Sequence, residues 1–119
     1  MSAVYHLVDP AVWAAAGAEY RPESLAAEGF VHLSFTDQVA GSADRHLADA
    51  SALVALEVDP AAAGAELVVE DSYGSGTAFP HLYGPLPRAA VVRVIPLRRA
   101  GGRWQFNADG AAAPASPDR

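Results

Sequence analysis

This chain has four histidines, no cysteine and no lysine in 119 residues. Proton transfer, ligand binding or metal ligation must therefore fall to imidazole, carboxylate, hydroxyl and guanidinium groups. Two histidines sit in segments with unusual backbone constraint, Gly29-Phe30-Val31-His32-Leu33-Ser34 and Phe79-Pro80-His81-Leu82-Tyr83-Gly84-Pro85-Leu86-Pro87. Read as extended chain, the first puts Phe30, His32 and Ser34 on one face and Val31 and Leu33 on the other. The aliphatic pair suits a core. The opposite face combines an aromatic ring, an imidazole and a hydroxyl, groups that can stack on a flat polar ligand and hydrogen-bond to it. In the second segment Pro80, Pro85 and Pro87 restrict φ, and Gly84 admits geometry closed to other residues. An extended backbone there turns His81 and Tyr83 to one side, with Phe79 beside them. The competing structural explanations are a buried histidine satisfied by a carbonyl and a loop packed by its own aromatics.

The elements that must carry these segments are short. Val4–Val8 is a strand in which His6 faces away from Tyr5 and Leu7, toward either a pocket or solvent. Asp9-Pro10 caps a brief helix containing Trp13, and residues 23–28 form another that Gly29 ends. Ser34-Phe35-Thr36-Asp37 has the spacing of a capping box before a helix through Leu47, whose Val39, Ala43 and Leu47 form a stripe able to cover a sheet. Arg45 and His46 near its end suit the helix dipole, and Arg45 can alternatively meet a phosphate or carboxylate. Residues 51–58 read as a central strand, 66–70 as another, and 91–95 as a third ending at Pro96. Glu70 and Asp71 lead into Ser72-Tyr73-Gly74-Ser75-Gly76-Thr77, a lid or an ordinary hairpin connection. It lacks the lysine of a phosphate loop and the spacing of the dinucleotide glycine fingerprint. Gly101-Gly102 marks a tight hairpin.

The length fits one domain, predicted over residues 1–106, with residues 107–119 a disordered tail. With 14 Asp and Glu against 8 Arg, the net charge of −6 argues against bulk nucleic-acid binding and anionic membranes. The missing cysteine excludes disulfides, thiolate nucleophiles and cysteine-based metal sites. The start lacks the pattern of a secretory signal and no apolar run is long enough for a spanning helix, so a cytoplasmic location is expected. Oligomeric state is left open.

The two histidine segments, with Tyr5-His6, Ser24-Leu25 and Glu28 before them, resemble a small bacterial family of unknown function. Its marks are Gly-Phe-Ile/Val-His-x-Ser and Phe-Pro-His-Ile/Leu-Tyr-Gly-Pro-Leu, and the resemblance covers about residues 4 to 97. That family is similar to the ADP-ribosyltransferase fold group. The resemblance implies an α+β fold with a split, mostly antiparallel sheet, short helices and a cleft for NAD or a related nucleotide. It further implies His32 as the group that positions NAD, with Tyr83 or Phe79 stacking and His6 and Ser34 at the ligand. Catalysis would fall to His32, His81 and Glu70, although no acid occurs between Asp71 and Asp109 to match the group's late glutamate.

Three other functions compete with NAD-dependent transfer. One is a non-catalytic domain that binds a nucleotide or other small polar ligand. Another is an interaction domain whose histidines only fill polar pockets. The third is a metal site of His6, His32 and His81 with Glu70 or Asp71, which has no His-x-x-x-His pair behind it.

Overall fold

The computed structural model describes residues 3–108 and the backbone of Ala113–Pro114. The chain opens with β1 (Val4–Val8) and α1 (Pro10–Ala15), which starts where the Asp9 side chain accepts the Ala11 N–H and Pro10 supplies a preset φ. Next come β2 (Glu19–Tyr20) and α2 (Glu23–Glu28). Gly29 stops α2 in the left-handed conformation at φ 90°, where a side chain would be strained. Two short strands follow, β3 (Val31–His32) and β4 (Ser34–Phe35), then a 3-10 turn over Thr36–Gln38 and α3 (Val39–His46). The predicted capping box takes another form, because Phe35 N–H donates to the side chain of Gln38. The remaining strands are β5 (Val54–Val58), β6 (Leu67–Glu70), β7 (Phe79–Leu82), β8 (Leu86–Pro87), β9 (Val91–Pro96), β10 (Arg98–Ala100), β11 (Arg103–Gln105) and β12 (Ala113–Pro114).

The architecture is α+β, with every strand pairing antiparallel. The larger sheet runs β12-β9-β5-β1-β4, and a second runs β3-β7-β6. The chain passes from one sheet to the other at Leu33: Val31 and His32 pair with Leu82 and His81, whereas Ser34 and Phe35 pair with Tyr5 and Val4. Phe30, His32 and Ser34 are therefore not one strand face as the spacing predicts. A single strand of that length would have to choose one partner, and the two short strands have different ones. Beyond Tyr5, β1 has no β4 residue opposite it, because the chain before Leu33 pairs with β7 instead.

Period-two alternation along β1 explains the two cores. Val4 and Val8 pack with Trp13, Val31, Leu33, Leu56, Leu82 and Leu86 between the sheets. Tyr5 turns the other way to Val39 and Ala43 of α3, with Ile95 and Trp104. Phe106 and Ala108 pack against this second cluster, and Ala113–Pro114 pair with β9. Of the predicted 107–119 tail, residues 109–112 and 115–119 lie outside the described residues. Gly84 serves close approach rather than positive φ, since a Cβ there would stand 2.7 Å from the Cβ of Ala65. No helix among the described residues is long and apolar enough to cross a membrane.

Candidate functional site

Cross-strand register brings the two histidine segments together. His32 of β3 is the direct partner of His81 of β7, and their rings meet edge to face with centroids 5.4 Å apart. Phe30 lies flat on His81 at 3.9 Å, its plane tilted by 12°. This stack fixes the imidazole in a stable offset arrangement.

Each histidine has its own carboxylate and phenol. His81, 2% exposed, turns Nδ1 to Glu70 Oε2 at 2.9 Å. The Ser72 hydroxyl stands 3.4 Å from the same nitrogen. Tyr83 donates its hydroxyl to that Glu70 oxygen. The carboxylate only accepts, so in the neutral ring Nδ1 carries the proton and Nε2 keeps its lone pair. Hydrogen bonds from Tyr83 and then His81 hold the Glu70 carboxyl below its ordinary range. His32 Nε2 lies 3.0 Å from Glu28 Oε1, which also accepts the Tyr73 hydroxyl at 2.5 Å. Tyr73's bond depresses Glu28 most strongly, and burial is the main cause that lowers His32. Partial desolvation, followed by the hydrogen bond to Glu28, pushes the Tyr73 phenol up to about 12.

The loop carrying Tyr73 joins β6 to β7 and is therefore a hairpin connection. It winds around Asp71, whose carboxylate accepts the backbone N–H groups of Ser75 and Gly76. Gly74 and Gly76 take φ of 64° and 87°, which lets the turn close on that carboxylate.

His6 follows Tyr5 on β1, just past the last residue paired with β4. Its Nδ1 donates to the carbonyl of His32 at 2.8 Å, which assigns the proton to Nδ1. Among the described residues, His6 Nε2 is the buried side-chain polar atom without a partner. Burial lowers this histidine from 6.5 to about 4, so it is neutral near pH 7 with a bare acceptor.

A groove of about 1020 Å³ runs past these groups, at the upper end of small-molecule sites. His6, His32, Ser34, Phe79 and His81 line it, with Glu28 and Tyr73 on one side and Arg45 and His46 of α3 on another. Ser34 is buried and donates to the Ser42 hydroxyl at 3.2 Å, on a different strand from His32. Phe79 faces the Arg45 guanidinium, 5.9 Å from the ring centroid. Tyr83 and Glu70 stand behind His81 rather than in the groove wall. Of the residues singled out from the sequence, His6, His32, Ser34, Phe79 and His81 line one groove; Tyr73 and the pairing of Glu28 with His32 were not singled out. A glutamate two residues before Phe-Val-His had no local signal, because the αL turn at Gly29 creates the contact. Among the described residues, no three His, Asp or Glu side chains converge as a metal-ligand group.

Residues 7–94 match the family described as "Protein of unknown function (DUF952)". The chain is similar to protein CC0527 from Caulobacter crescentus, whose crystal structure is 33% identical with a TM-score of 0.76. That likeness covers 87% of this chain and 94% of the other. A crystal structure of a double mutant of the same protein gives the same identity and coverage with a TM-score of 0.75. Its solution NMR structure is 32% identical, covers 87% of this chain and 91% of that one, and gives a TM-score of 0.72. No curated protein matches the chain.

Proposed function

This chain belongs to the DUF952 family of proteins of unknown function, and from the site it carries we propose that it binds a small nucleotide-like ligand and does acid–base chemistry on it. The observation that carries this reading is the His81 pair. Glu70 holds Nδ1 at 2.9 Å, Phe30 fixes the ring plane, and Nε2 is left for the groove. A histidine oriented by a carboxylate, with its other nitrogen facing a ligand, is the arrangement of a general base.

NAD is the first ligand to test, in line with the resemblance to the ADP-ribosyltransferase fold group. The groove has the volume for it, its rings offer stacking surfaces, and His6 Nε2 supplies a buried acceptor for a ribose hydroxyl or carboxamide N–H. An unpartnered buried acceptor costs free energy that such a donor would recover. NAD would supply a transferable glycosidic bond. His81 Nε2 then takes the proton of an acceptor hydroxyl as its oxygen bonds to the anomeric carbon, and nicotinamide leaves with the electron pair of the broken C–N bond. His32 and Ser34 hold the ribose, and Glu70 keeps the imidazole in its tautomer.

Binding without turnover is the second reading. It is favoured by Glu28 and Glu70 both being engaged by tyrosine and histidine, so neither carboxylate beside His32 and His81 is free. Calorimetric titration with NAD, ADP-ribose and AMP tests both, with His32→Ala as control. Saturable NAD binding lost in His32→Ala, with nicotinamide release that His81→Ala abolishes while still binding, is the enzyme outcome. His32-dependent binding without release is the binding-module outcome. Absence of NAD binding at millimolar concentration, or binding indifferent to His32, ends the NAD reading.

A further inference from the structure

Arg45 stands out among the arginines. Arg21, Arg93 and Arg103 pair with Glu19, Glu57 and Asp44. Arg88 donates to the carbonyls of Trp13 and Ala16, and Arg99 to those of Ala48 and Ala50. Among the described residues Arg45 has neither kind of partner, and it lies on the groove with the Phe79 ring 5.9 Å from its guanidinium. Among the described residues, Arg98 is the other arginine without such a bond, and it is on the exposed β10 strand and does not line the groove.

Helix capping does not account for this placement. The carbonyls following α3 are occupied by other donors, Leu47 by the Trp104 indole N–H and Ala48 and Ala50 by Arg99. Ala43's carbonyl accepts Leu47 N–H. Arg45 is thus free of the end of its own helix. Gly41, one turn earlier, gives the guanidinium room, since a Cβ there would stand 3.3 Å from Arg45 Nη1. His46 follows it on the groove and is near enough to His32 to oppose its protonation. Asp37 also lines the groove, and it forms no ion pair with Arg45.

We propose that Arg45, resting on Phe79 and with His46 beside it, is the anion subsite of the groove, and that the ligand carries a phosphoryl group there. Phe79 is two residues before His81 on β7, a step of about 7 Å. The same groove thus has a guanidinium beside Phe79 and an imidazole two residues along β7, one for a phosphoryl group and one for the rest of a nucleotide. A delocalised, weakly hydrated guanidinium presents paired N–H groups to two phosphate oxygens, and its contact with the Phe79 ring 5.9 Å away is compatible with that. This subsite deepens the nucleotide reading above and rests on it for the ring end, but the phosphate end stands on Arg45 alone.

The test is calorimetric titration of the intact chain at pH 7.5 with pyrophosphate, AMP, adenosine and NAD, using wild type, Arg45→Gln and Arg45→Lys. Pyrophosphate has no ring and probes the subsite by itself. The expected result is binding of pyrophosphate and AMP that weakens at least tenfold in Arg45→Gln, with Arg45→Lys between the two and adenosine indifferent to the change. Arg45→Gln binding AMP and pyrophosphate as tightly as wild type overturns the proposal, as does failure of both to bind wild type at millimolar concentration. NAD binding that needs His32 but not Arg45 overturns the subsite and leaves the NAD reading standing. Arg45-dependent pyrophosphate binding in a protein that ignores NAD supports the subsite and removes the NAD reading.

Discussion

At the residue scale, His6 ties the site to the stability of the protein. It is neutral in the folded chain because burial holds it at about 4 rather than 6.5. The unfolded chain therefore binds more protons between those values, and stability falls as pH drops through that window. The full contribution is on the order of 3 kcal/mol. His32 is lowered in the same direction and adds to the slope. Urea unfolding at pH 7 and pH 5 should show this loss, and His6→Phe should flatten the pH slope whatever it does to stability at pH 7. An unchanged slope would mean that His6 is protonated in the native protein. The Tyr73 phenol gives a second reporter. Glu28→Gln replaces the carboxylate by a neutral amide and so removes the charge that helps push it up to about 12, and ultraviolet titration should show one tyrosine moving down.

At the element scale, the β6–β7 hairpin is a loop folded on one carboxylate. Asp71 accepts N–H groups from Ser75 and Gly76, which hold its own carboxyl below the ordinary range. Asp71→Asn should speed amide exchange at Ser75 and Gly76 severalfold and leave the β5 amides unchanged. Equal acceleration in β5 would show that the loop is not an independent unit. The loop's outer contact, Tyr73 on Glu28, crosses the groove side of His32. In Tyr73→Phe the ring remains but the strap loses its hydrogen bond, so ligand dissociation should quicken several-fold with little change in unfolding midpoint. Stopped-flow release of a bound fluorescent nucleotide measures it.

At the scale of the whole molecule, the split between the two sheets makes the site. The core between them is closed by Leu56, Leu82 and Leu86, each fully buried, and the groove begins where that packing ends beyond Tyr5. Leu56→Ala should cost about 2–5 kcal/mol in urea unfolding, because the flanking strands β1 and β9 hold their spacing and leave the cavity open. A cost near zero would indicate that the sheets close over the gap.

Much of this protein is local in origin. Asp9-Pro10 starts a helix and Gly29 ends one because capping and φ are decided within a few residues. The alternation in Val4–Val8 turns His6 away from Tyr5, and the aromatic company of His32 and His81 marks both as candidate site residues before any fold is known. Tertiary structure decided the rest. The break at Leu33 separates Ser34 from His32, because two short strands find partners in different sheets, and no residue type announces that switch. His32 opposite His81, Glu28 beside His32 and Arg45 on Phe79 are likewise contacts between distant segments. Sequence determines which side chains can do chemistry and which way each faces along its own element. Register and sheet pairing, set by burial of the whole core, decide which of them meet.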